Sequence, residues 1–398
     1  MYSFFLDTRL IPVCLHCEKE PIMREIFGTI CIAGAIQAVL LFFALIIKRN
    51  NRRANLFLSI FMFFTAVDAL ELYLASRGHV LFSQPYQVSI IPYSFVFGPS
   101  LFLYSALMTA RIDRLTRRHL LLYAPFLVIL TANIILFLFF DTPVAPRAVP
   151  AAHMIIGGGG FIFEAILYAA SLRMIHAYTA RLKEYFSAID TLKLSLFRAA
   201  LAVLFIVVIV FFLSLISEGG VRREYKLPDI IAVLVSMGLG FAFALMAMIQ
   251  PEIFNRVRLM EKAVPGDAGG EPSPKYEKLR LPDTKEEQYS RMLKELMEDR
   301  KLYLKEELTL QDLADELSLS PQHLSMLLNV RFRQNFYNFV NAYRVEEVKR
   351  KLADPACTHG NILSIAFGAG FNSKSTFNTM FKKFTGKTPK QFRADLSA

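Results

Sequence analysis

The chain has 398 residues, of which 54% are hydrophobic and only 20% charged, and its formal net charge is +11. Soluble domains are usually less apolar and more charged, so this composition argues against a protein built only of soluble domains. The excess of basic residues suits a phosphate-rich partner, which could be nucleic acid or an anionic lipid surface.

The N-terminal segment, residues 1–25, contains a short cysteine motif. Cys14 and Cys17 flank His16 in the stretch Cys-Leu-His-Cys. These side chains could begin a zinc site, but tetrahedral zinc needs a fourth ligand and the sequence offers no second cluster. A local disulfide or two free thiols is the alternative, and we predict no metal. We expect no signal peptide, because no basic stretch leads into a short apolar run with a small-residue cleavage site.

Seven apolar runs follow one another between residues 26 and 250. A helix of about 20 residues crosses the ~30 Å hydrocarbon core of a bilayer. The sequence therefore predicts a seven-helix membrane domain, and runs as dense as residues 201–216 disfavour the alternative of a large soluble helical core. The predicted spans are residues 26–47, 55–76, 88–110, 119–140, 152–176, 195–217 and 228–250.

Basic residues in the connections predict the orientation of these spans. Cytoplasmic connections carry an excess of Lys and Arg, and the first, third and fifth connections are the more basic ones. The N-terminus is then expected outside the cell and everything after Gln250 in the cytoplasm. The basic residues concerned are Lys48, Arg49, Arg52 and Arg53, then Arg111, Arg114, Arg117 and Arg118, then Arg181, Lys183 and Lys193.

Three carboxylates interrupt the predicted spans. Asp68 and Glu71 lie three residues apart on one face of the second helix, and Glu164 lies near the middle of the fifth. Ionisable residues are costly in lipid and usually face the interior of a helix bundle. They are candidates for sensing a ligand or signal, and structural polar contacts are the alternative.

The composition changes after the seventh span. Residues 251–283 include a stretch rich in Pro, Gly and charge, which predicts a flexible linker. From residue 284 to residue 398 apolar side chains recur with the 3.6-residue period of amphipathic helices. The first of these helices, near residues 284–304, is expected to pack on the domain or to pair with a second subunit. The predicted fold class is all-α, with a membrane helix bundle followed by a helical C-terminal domain.

A helix, a tight turn and a second helix are predicted twice in this domain. In the first copy Ser320 is the natural N-cap and Pro321 stands at the first helical position. In the second copy Ser373 or Asn372 is the cap. The two copies share their spacing, because five residues separate Ala314 from Leu319 and Ala366 from Phe371. The expected buried residues of the second helix in the second copy are Phe377, Phe381 and Phe384.

This arrangement resembles the AraC/XylS family of bacterial transcription regulators. The resemblance rests on LSLSPQHLS, NAYRVEEVKRKL and IAFGAGFNSKSTFNTMFKKFTGKTPKQFR, and it covers about residues 290–395. It implies a double helix-turn-helix domain over residues 284–398, with the second helix of each unit in successive major grooves of double-stranded promoter DNA, about 34 Å apart. Seven spans before such a domain also look like a membrane-bound branch of that family, in the bacterial cytoplasmic membrane.

The resemblance also implies which side chains contact DNA. Gln, Asn and Lys can hydrogen-bond base edges, whereas Met can make only apolar contact, for example with a thymine methyl. Basic and hydroxyl side chains suit phosphates, which position the protein without specifying sequence. The expected base-contacting residues are Gln322, Ser325, Met326, Asn329, Lys374, Ser375, Asn378 and Thr379. The expected phosphate-contacting residues are Arg331, Arg333, Thr376, Lys382, Lys383 and Lys387.

The distribution of charge agrees with this interpretation. Residues 321–398 contain 12 Lys or Arg against 4 Asp or Glu, a net charge of +8. Residues 283–320 contain 6 against 11, a net charge of −5. The basic charge is concentrated where the DNA-reading helices are expected, as phosphate binding requires.

The sequence thus predicts a membrane-bound one-component transcription regulator that is not an enzyme and needs no cofactor. No Walker loop, Gly-x-Ser-x-Gly elbow or HExxH motif is evident. The expected partners are promoter DNA, the lipid bilayer and an unknown small-molecule or membrane signal, and a homodimer and contact with RNA polymerase are compatible with it. Two alternatives stay open: a transporter or other membrane protein with a regulatory basic tail, and a regulator merely anchored at the membrane.

Overall fold

The computed structural model describes residues 21–77, 91–109, 112, 115–139, 148–188, 191–217, 227–249, 282–354 and 360–397. Over these ranges the chain forms helices and no β-strand, so the predicted all-helical class is confirmed. One isolated antiparallel bridge pairs Phe186 with Thr309. The cysteine motif of Cys14, His16 and Cys17 lies outside the described residues, as do residues 251–281 of the predicted linker.

The chain divides into two compact units. The first draws on Met1–Ile175 and Phe197–Glu252, and the second on His176–Leu196 and Ile253–Ala398. The first unit contains the apolar helices, and the sixth and seventh of them also contribute residues to the second unit. In chain order these helices are α1 Pro21–Ile47, α2 Arg52–Ser76, α3 Ser94–Met108, α4 Arg117–Leu120, α5 Ala124–Phe139, α6 Ala148–Tyr185, α7 Thr191–Ser217 and α8 Leu227–Ile249.

A helix therefore occurs at each of the seven predicted apolar runs. Five are long and apolar enough to cross a membrane, while Ser94–Met108 and Val233–Met248 are shorter apolar segments within the described residues. The fourth run is not one helix, because the 3-10 turn Leu121–Tyr123 separates α4 from α5. The fifth helix extends nine residues beyond its predicted end at 176 and reaches Tyr185. Those added residues include Arg181, Lys183 and Glu184, and they belong to the second unit.

The first unit is held together by close helix packing at small residues. A Cβ added at Gly98 on α3 would lie 3.1 Å from the Cα of Glu164 on α6, so the two backbones nearly touch. Gly240 on α8 leaves room for side chains of α2 instead, since the Phe61 ring lies 3.0 Å from such a Cβ. Small residues allow this approach between helices in lipid, where no hydrophobic force drives them together.

Large apolar side chains point away from the first unit. Leu40, Val128 and Ile155 are 65%, 68% and 74% exposed. A soluble protein rarely leaves so much apolar surface in water, whereas hydrocarbon accommodates it without cost. Lys48, which follows α1, donates to the carbonyl oxygens of Ala247 at 2.7 Å and Met248 at the end of α8. The end of α1 and the end of α8 therefore lie at the same face of this unit.

Over residues 282–354 and 360–397 the second unit contains seven further α-helices. They are α9 Asp283–Glu298, α10 Leu310–Glu316, α11 Pro321–Arg331, α12 Phe336–Ala353, α13 Ile362–Phe367, α14 Lys374–Thr385 and α15 Pro389–Ser397, with a 3-10 turn at Leu302–Leu304. Leu293 and Met297 of α9 are fully buried in the same core as Leu310 and Leu313. The lead-in helix therefore packs on the domain, which is one of the two arrangements that the sequence allowed.

The predicted apolar stripes are mostly buried. Ala314, Leu324, Phe371, Phe377 and Phe381 are each at most 1% exposed. Phe384 differs, because it is 36% exposed and the prediction that it would be buried is wrong. Met380, one helical turn earlier and 2% exposed, occupies the interior instead.

Candidate nucleic-acid interface

The first helix pair consists of α10 and α11 joined by a short turn. Thr309 caps α10 by accepting a hydrogen bond from the Asp312 amide at 3.1 Å, and the Asp312 carboxylate accepts one from the Thr309 amide at 2.9 Å. Ser320 caps α11 by accepting from the His323 amide at 3.3 Å, and Pro321 follows at the first position, as predicted. These caps fix where each helix starts, since side-chain oxygens satisfy amides that have no partner inside the helix.

The second helix pair consists of α13 and α14 and repeats this design. Asn361 caps α13 through the Leu363 amide at 2.9 Å. Ser373, rather than Asn372, caps α14 through the Thr376 amide at 3.2 Å. Gly370 in the turn has a φ of 93°, a conformation that favours glycine.

The long helix α12 links the two pairs. Asn335 caps it through the Asn338 amide at 3.0 Å. The Asn338 side chain then accepts a hydrogen bond from Lys383 of α14 at 2.8 Å. The Tyr337 hydroxyl is hydrogen-bonded to Thr376, at the start of α14. The first turn of α12 therefore contacts α14, the second helix of the second pair, through two side chains.

Most predicted base-contacting side chains lie at the surface. Five of them are exposed: Asn329 on α11, and Lys374, Ser375, Asn378 and Thr379 on α14. Gln322 and Ser325 on α11 are half-buried. The exposed polar residues on α14 form one side of the helix, because residues 374, 375, 378 and 379 recur with the helical period.

Two predicted contact residues are buried. Met326 is 2% exposed, so its side chain belongs to the interior and offers no surface to a thymine methyl. Thr376 is also 2% exposed, and its hydroxyl accepts a hydrogen bond from the Ser373 hydroxyl at 3.0 Å. In this structure the Thr376 hydroxyl therefore completes a helix cap, and neither side chain is presented to a phosphate or a base.

The predicted phosphate-contacting basic residues are all exposed. Arg331, Arg333 and Lys382 are exposed on or beside the second helices of the pairs. Lys383 donates a hydrogen bond to Asn338, as described above. Lys387 forms an ion pair with Asp395 at 2.7 Å. That pair is solvent-exposed on both sides, so it is worth little and can exchange for a phosphate.

Two candidate sensing residues, Glu71 and Glu164, are hydrogen-bonded to other side chains of the first unit. Glu71 accepts a hydrogen bond from the Tyr93 hydroxyl at 2.7 Å. Glu164 is buried and hydrogen-bonded to Tyr168 and Ser94. Asp68 shares α2 with Glu71. Among the residues that the structure describes, no cluster of His, Cys, Asp or Glu could hold a metal ion.

One residue for which no function was predicted lies buried in the second unit. Arg344 on α12 is 1% exposed, and its guanidinium donates to six acceptors. Burial lowers the pKa of this group to about 10, so it stays charged at neutral pH. Its position could have been inferred, because it lies four residues from both Val340 and Val348, which the sequence places on the buried face. The acceptors are the carbonyl oxygens of Tyr303, Lys305, Glu306 and Ser187, the Ser187 hydroxyl and the Asn341 side chain.

Comparisons with known proteins identify the C-terminal part of the chain. Residues 313–395 match the family model described as a helix-turn-helix domain. An uncharacterised HTH-type transcriptional regulator of Staphylococcus aureus (strain COL) is 36% identical over 97 residues, which are 24% of this chain and 13% of that protein. The melibiose operon regulatory protein of Escherichia coli (strain K12) is 31% identical over 86 residues, 22% of this chain and 28% of that protein.

The chain matches only a minor part of each relative, 13% of the first and 28% of the second. No solved structure matches the chain significantly. The matched residues begin inside α10 and contain α11, the linking helix α12 and the second helix pair. The C-terminal part of this chain is therefore a helix-turn-helix domain of the kind that transcriptional regulators carry.

Proposed function

We propose that the chain is a membrane-bound one-component transcription regulator of AraC/XylS type. Its two helix pairs bind promoter DNA sequence-specifically, and its apolar helices hold it in the bacterial cytoplasmic membrane and sense a signal. The observation that carries the proposal is the side of α14 formed by Lys374, Ser375, Asn378 and Thr379. It is exposed and polar, and it belongs to the second helix of a helix-turn-helix pair.

Three features support DNA as the partner of this surface. Exposed basic residues, Arg331, Arg333 and Lys382, flank the polar side chains and can neutralise phosphates. The net charge of +8 over residues 321–398 favours the same polyanion. Asn378 can pair bidentately with adenine, and Lys374 can donate to guanine. Met326 and Thr376 take no part in the proposed contacts, because both are buried.

The apolar first unit supports membrane attachment, with its seven predicted apolar runs as the proposed spans. The contact of Lys48 with the carbonyl oxygens that end α8 supports the orientation. The first connection and the chain that leaves α8 then lie on one side of the bilayer. The basic residues Lys48, Arg49, Arg52 and Arg53 favour the cytoplasm, where DNA is, as that side.

A DNA-selection experiment tests the regulatory function. The full chain, reconstituted in lipid nanodiscs, would be mixed with genomic fragments at two salt concentrations, and the retained DNA sequenced. We expect a shared motif with two segments about one helical turn apart. Asn378→Ala should relax the motif, whereas Lys294→Ala on the acidic helix α9 is the matched control. If DNA retention depends on salt but the retained fragments share no motif, the domain binds DNA only non-specifically through its basic surface, and the regulatory function is contradicted.

A second experiment separates sensing from anchoring. Glu71→Gln, Glu164→Gln and Asp68→Asn each remove a charge while keeping the size of the side chain. Promoter output in cells would be compared with that of the wild type at equal protein level. A change in basal or induced output supports sensing through these residues. Unchanged output in all three, with promoter binding intact, supports the anchor alternative.

A further inference from the structure

Tyr185, the last residue of α6, and the two residues after it belong to the second unit. Tyr185 is 6% exposed and lies in the same core cluster as Leu308, Leu310 and Val340. Phe186 packs against that cluster. We call Tyr185, Phe186 and Ser187 the docking segment. It belongs to the fifth connection, more than 120 residues before its partners in sequence.

The docking segment pairs with the backbone just before α10. The Ser187 amide donates to the Leu308 carbonyl at 3.2 Å, and the Ser187 hydroxyl donates to the same oxygen at 2.6 Å. Phe186 and Thr309 face each other in an antiparallel bridge. Thr309 is the N-cap of α10, so the segment is bound at the point where the first helix pair begins.

Arg344 binds the docking segment from the other side. Its Nη1 atom donates to the Ser187 carbonyl at 3.3 Å, and its Nη2 atom donates to the Ser187 hydroxyl at 3.2 Å. Asn341 adds a hydrogen bond to the Ser187 carbonyl at 3.0 Å. A buried guanidinium is stable only when its donors are satisfied, and two of the acceptors of Arg344 come from Ser187. Undocking would leave those donors without their acceptors.

The same guanidinium lies against the second helix pair. Its Nε atom donates to the Tyr303 carbonyl at 2.8 Å, and a Cβ added at Gly370 would come 3.0 Å from that nitrogen. The central carbon of the guanidinium lies 6.0 Å from the centre of the Phe371 ring. Arg344 therefore joins the docking segment to the turn that precedes α14.

Docking leaves the proposed DNA surface uncovered. Lys374, Asn378 and Asn329 remain exposed with the segment in place. The docked arrangement is thus compatible with DNA binding, and it completes the hydrogen bonds that set α12 against both helix pairs.

We propose that Tyr185–Ser187 is an intramolecular control segment: the helix-turn-helix domain binds it through Ser187, Arg344 and Asn341, and the docked state is the one that binds DNA tightly. This inference rests on the proposed function. It assigns the fifth connection as the route by which the apolar helices influence DNA affinity, because α6 ends at Tyr185, the first residue of the docking segment.

A reversible disulfide tests the docking. Residues opposite each other in a non-hydrogen-bonded antiparallel pair have Cα atoms about 4.5 Å apart, which a disulfide can span. The pair Phe186→Cys and Thr309→Cys would be made in the full chain with Cys14, Cys17, Cys31 and Cys357 replaced by Ser. We expect rapid crosslinking in native membranes. Ala180→Cys with Thr309→Cys is the control, since Ala180 lies about 9 Å further back along α6.

Adding Ser187→Ala to the same protein tests the control of DNA binding. Under reducing conditions this variant should bind a selected promoter fragment about fivefold or more weakly than its Ser187 parent. Oxidation should restore the lost affinity, because the disulfide replaces the missing hydrogen bonds. The variant and its Ser187 parent both lack the Thr309 side chain, and each is also compared with itself in two redox states, so the effect of losing the Thr309 cap cancels.

Three outcomes would overturn the proposal. The absence of a specific crosslink would mean that the segment does not dock. Crosslinking without any change of affinity on oxidation would mean that docking exerts no control. A wild-type chain that binds no DNA would overturn the proposed function and the control together, while the crosslink would still decide docking by itself.

Discussion

Ser318 and Gly370 occupy the same place in the two turns, four residues after the buried Ala314 and Ala366, and both have a left-handed backbone. Their φ angles are 52° and 93°. Glycine adopts this conformation readily, but a residue with a Cβ atom does so at a cost of about 1–2 kcal/mol. The first turn therefore stores strain that the second avoids.

Ser318→Gly should stabilise the domain. The substitution removes the unfavourable φ but adds freedom to the unfolded chain, so we expect a gain of up to about 1 kcal/mol in the free energy of unfolding. Ser318 is exposed, and no packing is lost. Amide hydrogen exchange of α10 and α11 in the full chain would measure the change. Faster exchange there would contradict the strain argument.

Gly370→Ala should have the opposite effect. The new Cβ would combine a disfavoured φ with a clash against the Tyr303 carbonyl and close contact with Arg344. We expect the free energy of unfolding to fall by about 2 kcal/mol or more. Amide hydrogen exchange of α13 and α14 in the full chain measures this loss of stability. Gly386→Ala is the matched control, since Gly386 also has a positive φ, 74°, but open space around it.

Substitutions of Ser373 should separate helix capping from DNA binding. Ser373→Ala removes the acceptor for the Thr376 amide and should cost about 1 kcal/mol of stability. Ser373→Asp keeps a capping oxygen and should retain most of that stability, but its negative charge should weaken DNA binding. The test compares thermal denaturation with promoter affinity for both variants. If stability and promoter affinity fell in parallel in Ser373→Asp, capping and DNA binding would not be separable at this position.

Met326 and Asn378 should behave differently although both were expected to contact bases. Met326→Leu conserves volume in a buried position, so sequence preference should not change, whereas Met326→Ala should destabilise the domain by about 2–4 kcal/mol. Asn378→Ala should leave stability unchanged and relax preference at one base position by about 1–3 kcal/mol. Selection of DNA sequences by each variant measures this, and altered preference in Met326→Leu would contradict the burial.

Glu347 should make the stability of the domain depend on acidic pH. The hydrogen bond from Arg350 lowers the pKa of this carboxyl below its ordinary value of 4.5, against the opposing effect of burial. A lowered folded-state pKa stabilises the protein above the unfolded pKa, and the benefit is lost as pH falls through the folded value. Stability should therefore decline below about pH 4.5. Glu347→Gln should flatten that decline in unfolding curves, and an unchanged slope would contradict this assignment.

Local signals in the sequence were sufficient for the helices and their caps. Ser320 and Ser373 cap the predicted helices because capping depends on residues only three positions apart. The stripe around Ala314 is buried because helical periodicity alone sets which side faces the core. Phe384 shows the limit of this argument. It shares the face of Phe377 and Phe381, but the interior ends before it and the side chain stays exposed.

Contacts between distant segments could not be predicted in the same way. The burial of Met326 depends on packing with other elements, and its position in α11 was consistent with either environment. The pairing of Ser187 with Leu308 joins residues 121 positions apart. No periodicity or capping rule connects such residues. The charged residues Lys183 and Glu184 are instead typical of a connection exposed to solvent.

Two separate stretches of chain lead from the apolar helices into the C-terminal unit, one through Ser187 and one through residues 250–282. A protease that cut the second stretch would break only one of the two attachments. The cleaved domain would remain bound through Tyr185, Phe186 and Ser187 until those contacts opened. If the apolar helices lie in a membrane, as proposed, the release of that domain would be limited by a dissociation rate, and the abundance of cleaved protein alone would not measure the amount that is free.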